Sequence, residues 1–203
     1  MSSSSRPGLL LASASPRRHE LLRQIGVRFA TVTHTVDETP RSREVASDYV
    51  LRMAREKARC GASRAEPGHV VLGADTAVVL DGRILGKPRD RADAVKTLLT
   101  LADRPHQVCS AVALSDGDRM ETRLSVTEVV FGSLSSSEAE AYWETGEPAD
   151  KAGSYGIQGV GALFVTRIEG SYSGVVGLPL YETARLLAQF GIATALEGNK
   201  HHE

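Results

Sequence analysis

The spacing of apolar residues along the chain switches repeatedly between a period of two and a period near three and a half, so strands and helices should alternate. Residues 9–12 form a short apolar strand that runs into Ser13-Ala14-Ser15-Pro16. Ser15 suits an N-cap and Pro16 a first helical position. Leu21, Leu22 and Ile25 then fall on one face, and Gly26 ends that helix. The pattern goes on to predict a strand over 29–35, a helix over 45–60 and a β-rich run over 70–80. Asp81-Gly82 turns that run into a strand over 83–85. A helix over 91–101 carries Val95, Leu98 and Leu99 on one side. Two long strands, 107–114 and 119–131, meet at Asp116-Gly117. Ser135 and Glu138 fit a capping box for a helix ending near Gly146. A glycine-rich stretch from 153 to 161 precedes a strand over 162–168 and a closing helix over 179–190. The class is α/β, a mixed sheet with flanking helices and no internal repeat.

At 203 residues the chain can bury one proper core, read as a single domain over 9–194 with tails at 1–8 and 195–203. The C-terminal tail holds His201 and His202, for which a frayed terminus is the default reading. A net charge of -1 gives no basic field for nonspecific nucleic-acid binding, and 5% aromatic residues offer few stacking platforms for single strands. Cys60 and Cys109 lie far apart and form no CxxC pair, which argues against a disulfide scaffold or zinc ribbon. The opening MSSSSRPG lacks the apolar core of a signal peptide, and no apolar run approaches a membrane span. The expected setting is cytoplasmic, without a nucleic-acid or membrane partner. A second copy of the chain, as a homodimer, is the protein partner considered.

Several polar residues sit where stability alone does not call for them. Arg17 and Arg18 occupy the first turn of a helix, the end that already carries partial positive charge. Together with free backbone N–H groups they suit an anion such as phosphate; the alternative is that both are solvated or paired with nearby acids. Asp75 lies inside the apolar run VVLGADTAVVL, which is costly unless a cation or metal meets it. It reads as a metal ligand or general base, with Thr76 adding a hydroxyl. A strand-end Asp bonded to backbone N–H groups is the alternative. Lys57 shares an apolar helical face with Val50 and Met53, and either runs past it to water or turns inward to a phosphate or carboxylate. Lys87 is held in a stiff Gly-Lys-Pro turn. Glu38, beside Asp37, either helps bind Mg²⁺ with phosphate oxygens or belongs to an acidic turn before Pro40. Gln158 can both donate and accept, which suits the edge of a base, although a plain loop is also possible there. Walker A, Rossmann, HExxH and nucleophile-elbow patterns are all missing. What remains is cations, carboxylates and a polar loop, an inventory suited to metal-assisted attack of water on a phosphate.

Taken in order, SASPRR, VDET, REKA, GADT, GKPRD, DKAGSYGIQG and VVGLPLYET closely resemble the Maf family of nucleoside triphosphate pyrophosphatases. The resemblance spans roughly residues 9–190. It implies a Maf/ITPase-like fold of two lobes around a deep cleft, and hydrolysis of a nucleoside triphosphate to monophosphate and pyrophosphate with a divalent metal, Mg²⁺ or Mn²⁺. Nucleotide-pool house-cleaning is the implied role; a nucleotide-binding regulator of cell division using the same cleft is the alternative. By position, Asp75 matches the proposed proton acceptor, and Glu38 one of the other polar residues of the cleft. Arg17, Thr76 and Gln158 match positions tied to substrate choice, and Arg18, Lys57 and Lys87 match other polar residues of the cleft. The IQG loop resembles the branch that prefers dTTP and UTP; the 7-methyl-GTP branch carries an SEG type of loop. Ser154 stands where alanine is common in the dTTP/UTP branch.

Overall fold

The computed structural model describes residues 8–33 and 35–197. The apolar run predicted at 70–80 forms β3 (His69–Leu80), buried at every position except His69 and Thr76. A strand covered on both faces needs no polar alternation. It pairs in parallel with β1 (Gly8–Ala12) and antiparallel with β5 (Pro105–Ser115). Beyond β1 lies β2 (Phe29–Thr31), parallel; beyond β5 lie β6 (Met120–Phe131) and β7 (Val165–Glu169), antiparallel. With β4 (Arg83–Leu85) on the end of β3, they make a seven-stranded mixed sheet. The flanking helices are α1 (Pro16–Gln24), α2 (Ala46–Ala62), α3 (Arg91–Leu101), α4 (Ser136–Glu144), α5 (Tyr172–Val176) and α6 (Leu180–Gln189).

Successive strand residues face opposite sides of the sheet. Leu72, Ala74, Val78, Val112 and Leu114 join the larger core, with Leu21 and Leu22 of α1, Leu98 of α3, and Leu186 and Leu187 of α6. Ala77, Val79, Cys109, Ala111 and Ala113 join a smaller core closed by Val50, Met53, Ala54 and Ala58 of α2. That second contact is unusually close. A Cβ on Gly73 would stand 2.3 Å from the Ala54 carbonyl oxygen and 2.5 Å from the Ala58 nitrogen. Glycine is therefore required at 73 because helix backbone lies directly on strand backbone.

The register leaves an opening. β1 pairs with β3 only as far as Ala12↔Gly73, and β4 joins only from Val78↔Leu85. Both use the edge of β3 away from β5, which pairs continuously over 71–79. Among the described residues, no strand covers 74–77 on that edge. Asp75 and Thr76, pointing to opposite faces, both reach the gap.

Some expectations need correction. The strand predicted over 29–35 stops at Thr31: the last parallel pair is Leu11↔Thr31, and the Thr33 carbonyl accepts instead from Nη1 of Arg64 (2.9 Å), just past the end of α2. Ser15 occupies the N-cap position of α1, but its hydroxyl caps nothing; Ser13 Oγ instead accepts from the Ser15 N–H (3.2 Å). The strand predicted over 162–168 begins as a 3₁₀ turn (Val160–Phe164) and only then becomes β7. Its apolar run hid this, since Leu163 points outward while Phe164 is buried. The five-residue helix α5 has no apolar period long enough to announce it. The capping box of α4 forms as expected. Of the tails, Gly8 opens β1 and the Ala195 N–H bonds the Ile25 carbonyl (2.9 Å); residues 1–7 and 198–203, with His201 and His202, lie outside the described residues.

Replacing Gly73 with alanine should push α2 off the sheet and destabilise the fold by about 1–3 kcal/mol, the usual cost of overpacking. Urea unfolding should show a lower midpoint with an unchanged slope. An unchanged midpoint would mean that helix and strand backbones do not touch at this point.

Candidate active site

The β3 gap opens into a cleft of about 590 Å³ whose walls include all eight candidate residues: Arg17, Arg18, Glu38, Lys57, Asp75, Thr76, Lys87 and Gln158. Its size lies within the roughly 300–1,000 Å³ of small-molecule sites. They arrive from six segments: Arg17 and Arg18 from α1, Glu38 from the loop before α2, Lys57 from α2, Asp75 and Thr76 from β3, Lys87 from the turn after β4, and Gln158 from the glycine-rich loop.

Lys57 does not run out to water. It is 5% exposed, and its Nζ lies 2.7 Å from Asp75 Oδ1 and 2.7 Å from Glu38 Oε1. Asp75, 7% exposed, thus has the cation that its burial demands. The close packing at Gly73 makes the reach possible, since Lys57 follows Ala54 by one turn and Asp75 follows Gly73 on the same face of β3. Of the two adjacent acids, Asp37 turns back to the Thr39 N–H (2.9 Å) and Glu38 turns to Lys57. Glu38 is steadied by Tyr49, whose hydroxyl donates to the Glu38 carbonyl (3.0 Å). Burial, and then the charges of Asp75 and Glu38, push the Tyr49 phenol up to about 12. Tyr49 escaped the sequence reading, though it stands four and eight residues before Met53 and Lys57 on the same helical face.

On the opposite face of β3, Arg18 acts as a strut. Its Nε donates to the Gly177 carbonyl (2.8 Å), Nη1 to Ser13 Oγ (3.2 Å) and Nη2 to Thr76 Oγ1 (3.4 Å). Thr76 Oγ1 lies 2.8 Å from Ser110 Oγ, its cross-strand neighbour, which donates to the Gly174 carbonyl (2.6 Å). Two guanidinium N–H bonds are left for a ligand. Burial lowers the Arg18 pKa, Asp75 and Glu38 oppose that shift, and Arg17 adds to it. Ser13 and Ser110 are polar contributors that sequence pattern alone did not mark; Ser110, inside an apolar strand, carried the same signal as Asp75.

The cations nearer the rim are freer. Arg17 is half-buried, 3.7 Å from Asp150. Lys87 is exposed, with no ion pair or hydrogen bond among the described residues. Its turn is tied to the glycine-rich loop by the Gly153 N–H, which donates to the Gly86 carbonyl (3.1 Å). In that loop Tyr155 and Ile157 are buried while Gln158 is exposed on the cleft wall. Tyr155 is backed by His106: Oη lies 2.8 Å from His106 Nε2, and both rings pack edge-on against Phe131. Ser154, with φ +62°, buries a hydroxyl that has no partner among the described residues, so an alanine there would forfeit no hydrogen bond.

The donor set is all oxygen: two carboxylates held by one lysine. That suits a hard divalent cation whose remaining ligands are phosphate oxygens and water. Among the described residues, no cluster of three or more metal-binding side chains forms. Nor is any helix there long and apolar enough to cross a membrane.

A family profile described as Maf-like protein matches residues 8–190. A Vibrio vulnificus protein named dTTP/UTP pyrophosphatase is 51% identical over 182 residues, covering 90% of this chain and 98% of its own. A Methylococcus capsulatus protein of the same name is 52% identical over 187 residues, covering 92% and 93%. A solved nucleoside-triphosphatase (dITP/XTP pyrophosphatase) from Mycobacterium abscessus aligns over 91% of this chain and 95% of that one, with 18% identity and a TM-score of 0.43.

His106 is nearly fully buried, and burial pushes its imidazole down to about 4 from a usual value near 6.5. Between those values the unfolded chain binds the extra proton, so stability should fall as pH drops from 6.5 towards 4, by about 3 kcal/mol at most. Urea midpoints measured at pH 7 and pH 4.5 should differ less for His106→Gln than for the unaltered chain. Equal differences would mean that His106 protonates freely in the folded state.

Proposed function

The chain belongs to the Maf family, and from that premise we propose that it hydrolyses dTTP and UTP to the nucleoside monophosphate and pyrophosphate. The observation that carries the chemistry is the pair of carboxylates on Lys57, set in a cleft whose rim bears Arg17, Lys87 and Gln158. A triphosphate is a chain of negative charge ending in a flat, hydrogen-bonding base. The cleft offers cations to one part and an amide to the other.

In this reading a water oxygen attacks the α-phosphorus, its proton passes to Asp75, and the bond to the bridging oxygen breaks so that pyrophosphate leaves as one unit. Lys57 pairs with Asp75 in a buried place and holds Glu38 beside it. Arg17, Lys87 and the spare N–H groups of Arg18 offset charge on the phosphates. Glu38 and Asp75 are the residues that would hold a divalent cation, Mg²⁺ or Mn²⁺, which when bound withdraws charge from the phosphate oxygens. Thr76, fixed by Arg18 and Ser110, presents a hydroxyl to the same space. Gln158 offers a donor and an acceptor to the O4 and N3–H edge of thymine or uracil. A site built on such pairs rejects bases that leave them unmet.

Asp75→Asn keeps shape and removes charge, and should lower turnover by at least about a hundredfold, as for loss of a general base. Circular dichroism should stay unchanged. Near-normal turnover would reduce Asp75 to a structural role, and release of single phosphates from UTP would overturn the choice of bond. Across a panel with Mg²⁺ or Mn²⁺, dTTP and UTP should show higher kcat/KM than dATP, dGTP or 7-methyl-GTP. Gln158→Ala should blunt that preference more than it lowers the best rate. A panel led by 7-methyl-GTP would reassign the branch.

A further inference from the structure

Gln158 stands on a stretch with no strand partner, so something else must fix it. Glu147, in the 3₁₀ turn Glu147–Asp150 that follows α4, does this from behind. Its Oε2 accepts from the Val160 N–H (2.9 Å), and its Oε1 from the Gly161 N–H (3.2 Å) and the Tyr142 hydroxyl (2.5 Å). The Tyr142 oxygen in turn accepts from the Gly156 N–H (3.0 Å). One carboxylate and one phenol thereby bind backbone amides on both sides of Gln158. The packing leaves no slack. A Cβ on Gly159 would stand 2.1 Å from Glu147 Oε2, and one on Gly161 would stand 2.6 Å from Tyr142 Oη. These glycines let the loop wrap a carboxylate rather than a phosphate. Tyr142 is itself fixed, 2% exposed, with its ring edge-on to Phe164 (5.1 Å) on a helix closed by the capping box. Neither Glu147 nor Tyr142 lines the cleft.

We propose that Glu147, with Tyr142, is a positioning residue for base selection: its carboxylate sets where the Gln158 amide stands, without touching the nucleotide. The inference rests on Gln158 reading the base. A small displacement is enough to spoil a hydrogen-bond pair, whereas Asp75 and Lys57 are held by β3 and α2 and do not depend on this loop. Loss of the latch therefore alters KM and selectivity and leaves kcat largely in place.

The test is kcat and KM for dTTP and dGTP, with melting curves, in four variants: Glu147→Gln, Tyr142→Phe, Gln158→Ala and the double variant Glu147→Gln with Gln158→Ala. Glu147→Gln keeps size, removes the charge and turns one acceptor into a donor facing an N–H. The ratio of kcat/KM for dTTP over dGTP should fall about tenfold or more, while kcat on dTTP stays within about threefold. Tyr142→Phe should shift the ratio the same way, by less. In the Gln158→Ala background, Glu147→Gln should change the ratio no further, since both act through one contact. A ratio that Gln158→Ala lowers but Glu147→Gln leaves intact overturns the latch alone. So does a Glu147→Gln protein whose rates on both substrates fall in parallel. If Gln158→Ala leaves the ratio intact, base reading by Gln158 fails and the latch falls with it. Should Glu147→Gln not fold, Tyr142→Phe decides by the same criteria.

Discussion

The contact between the backbones of α2 and β3 at Gly73 sets the geometry on which the rest of the cleft depends. A lysine and an aspartate taken out of water lose several kcal/mol of hydration each, and only a short, well-directed pairing offsets that. Lys57 and Asp75 achieve it at 2.7 Å because their parent elements touch with no side chain between them. The alanines at 54 and 58 serve the same approach. Once the helix is seated, the buried Tyr49 meets the carbonyl of Glu38, and the second carboxylate comes in on the same ammonium group. A spacing rule between two backbones is thereby converted into an arrangement of charges.

Those charges divide by rigidity. Arg18 is consumed mainly in tying α1 to β3 and to the turn at Gly177, and Lys57 in holding two acids. Their charge counts towards the field in the cleft, but they have little freedom to follow a ligand. Arg17 and Lys87 stand nearer solvent on separate elements, with weak or no partners among the described residues. Such groups can adjust to a flexible polyphosphate at little cost, because their solvated state was already favourable.

Much of this was legible from the residues. The strand over 70–80 announced itself by apolar content, and an acid inside it had to be either neutralised or functional. Arg17 and Arg18 at a helix N-terminus were locally unfavourable and so informative. All eight candidate side chains do meet in one cleft. What could not be read were relations set by tertiary contact. The fate of Lys57 depended on a glycine sixteen residues away. The end of β2 depended on how far β1 offered partners. The glycines around Glu147 depended on side chains outside the loop they belong to. Local pattern reports what a segment prefers, and in each of these cases a neighbour distant in sequence decided the outcome.

The uncovered edge of β3 has a consequence for how such a protein can diverge. Asp75 and Thr76 are consecutive, so they point to opposite sides of the sheet and are supported by separate neighbours: α2 and Glu38 for one, Arg18, Ser110 and α5 for the other. Only because the strand is bare on that edge do both open on one cavity. Inherited variation can therefore accumulate around Thr76 and in the loop of Gln158 without disturbing the packing that pairs Asp75 with Lys57. In the proposed function, a lineage can retune which nucleotides it recognises while keeping the Asp75 half of the site, and duplicated copies have a physical route to specialise by changing one layer of the molecule at a time.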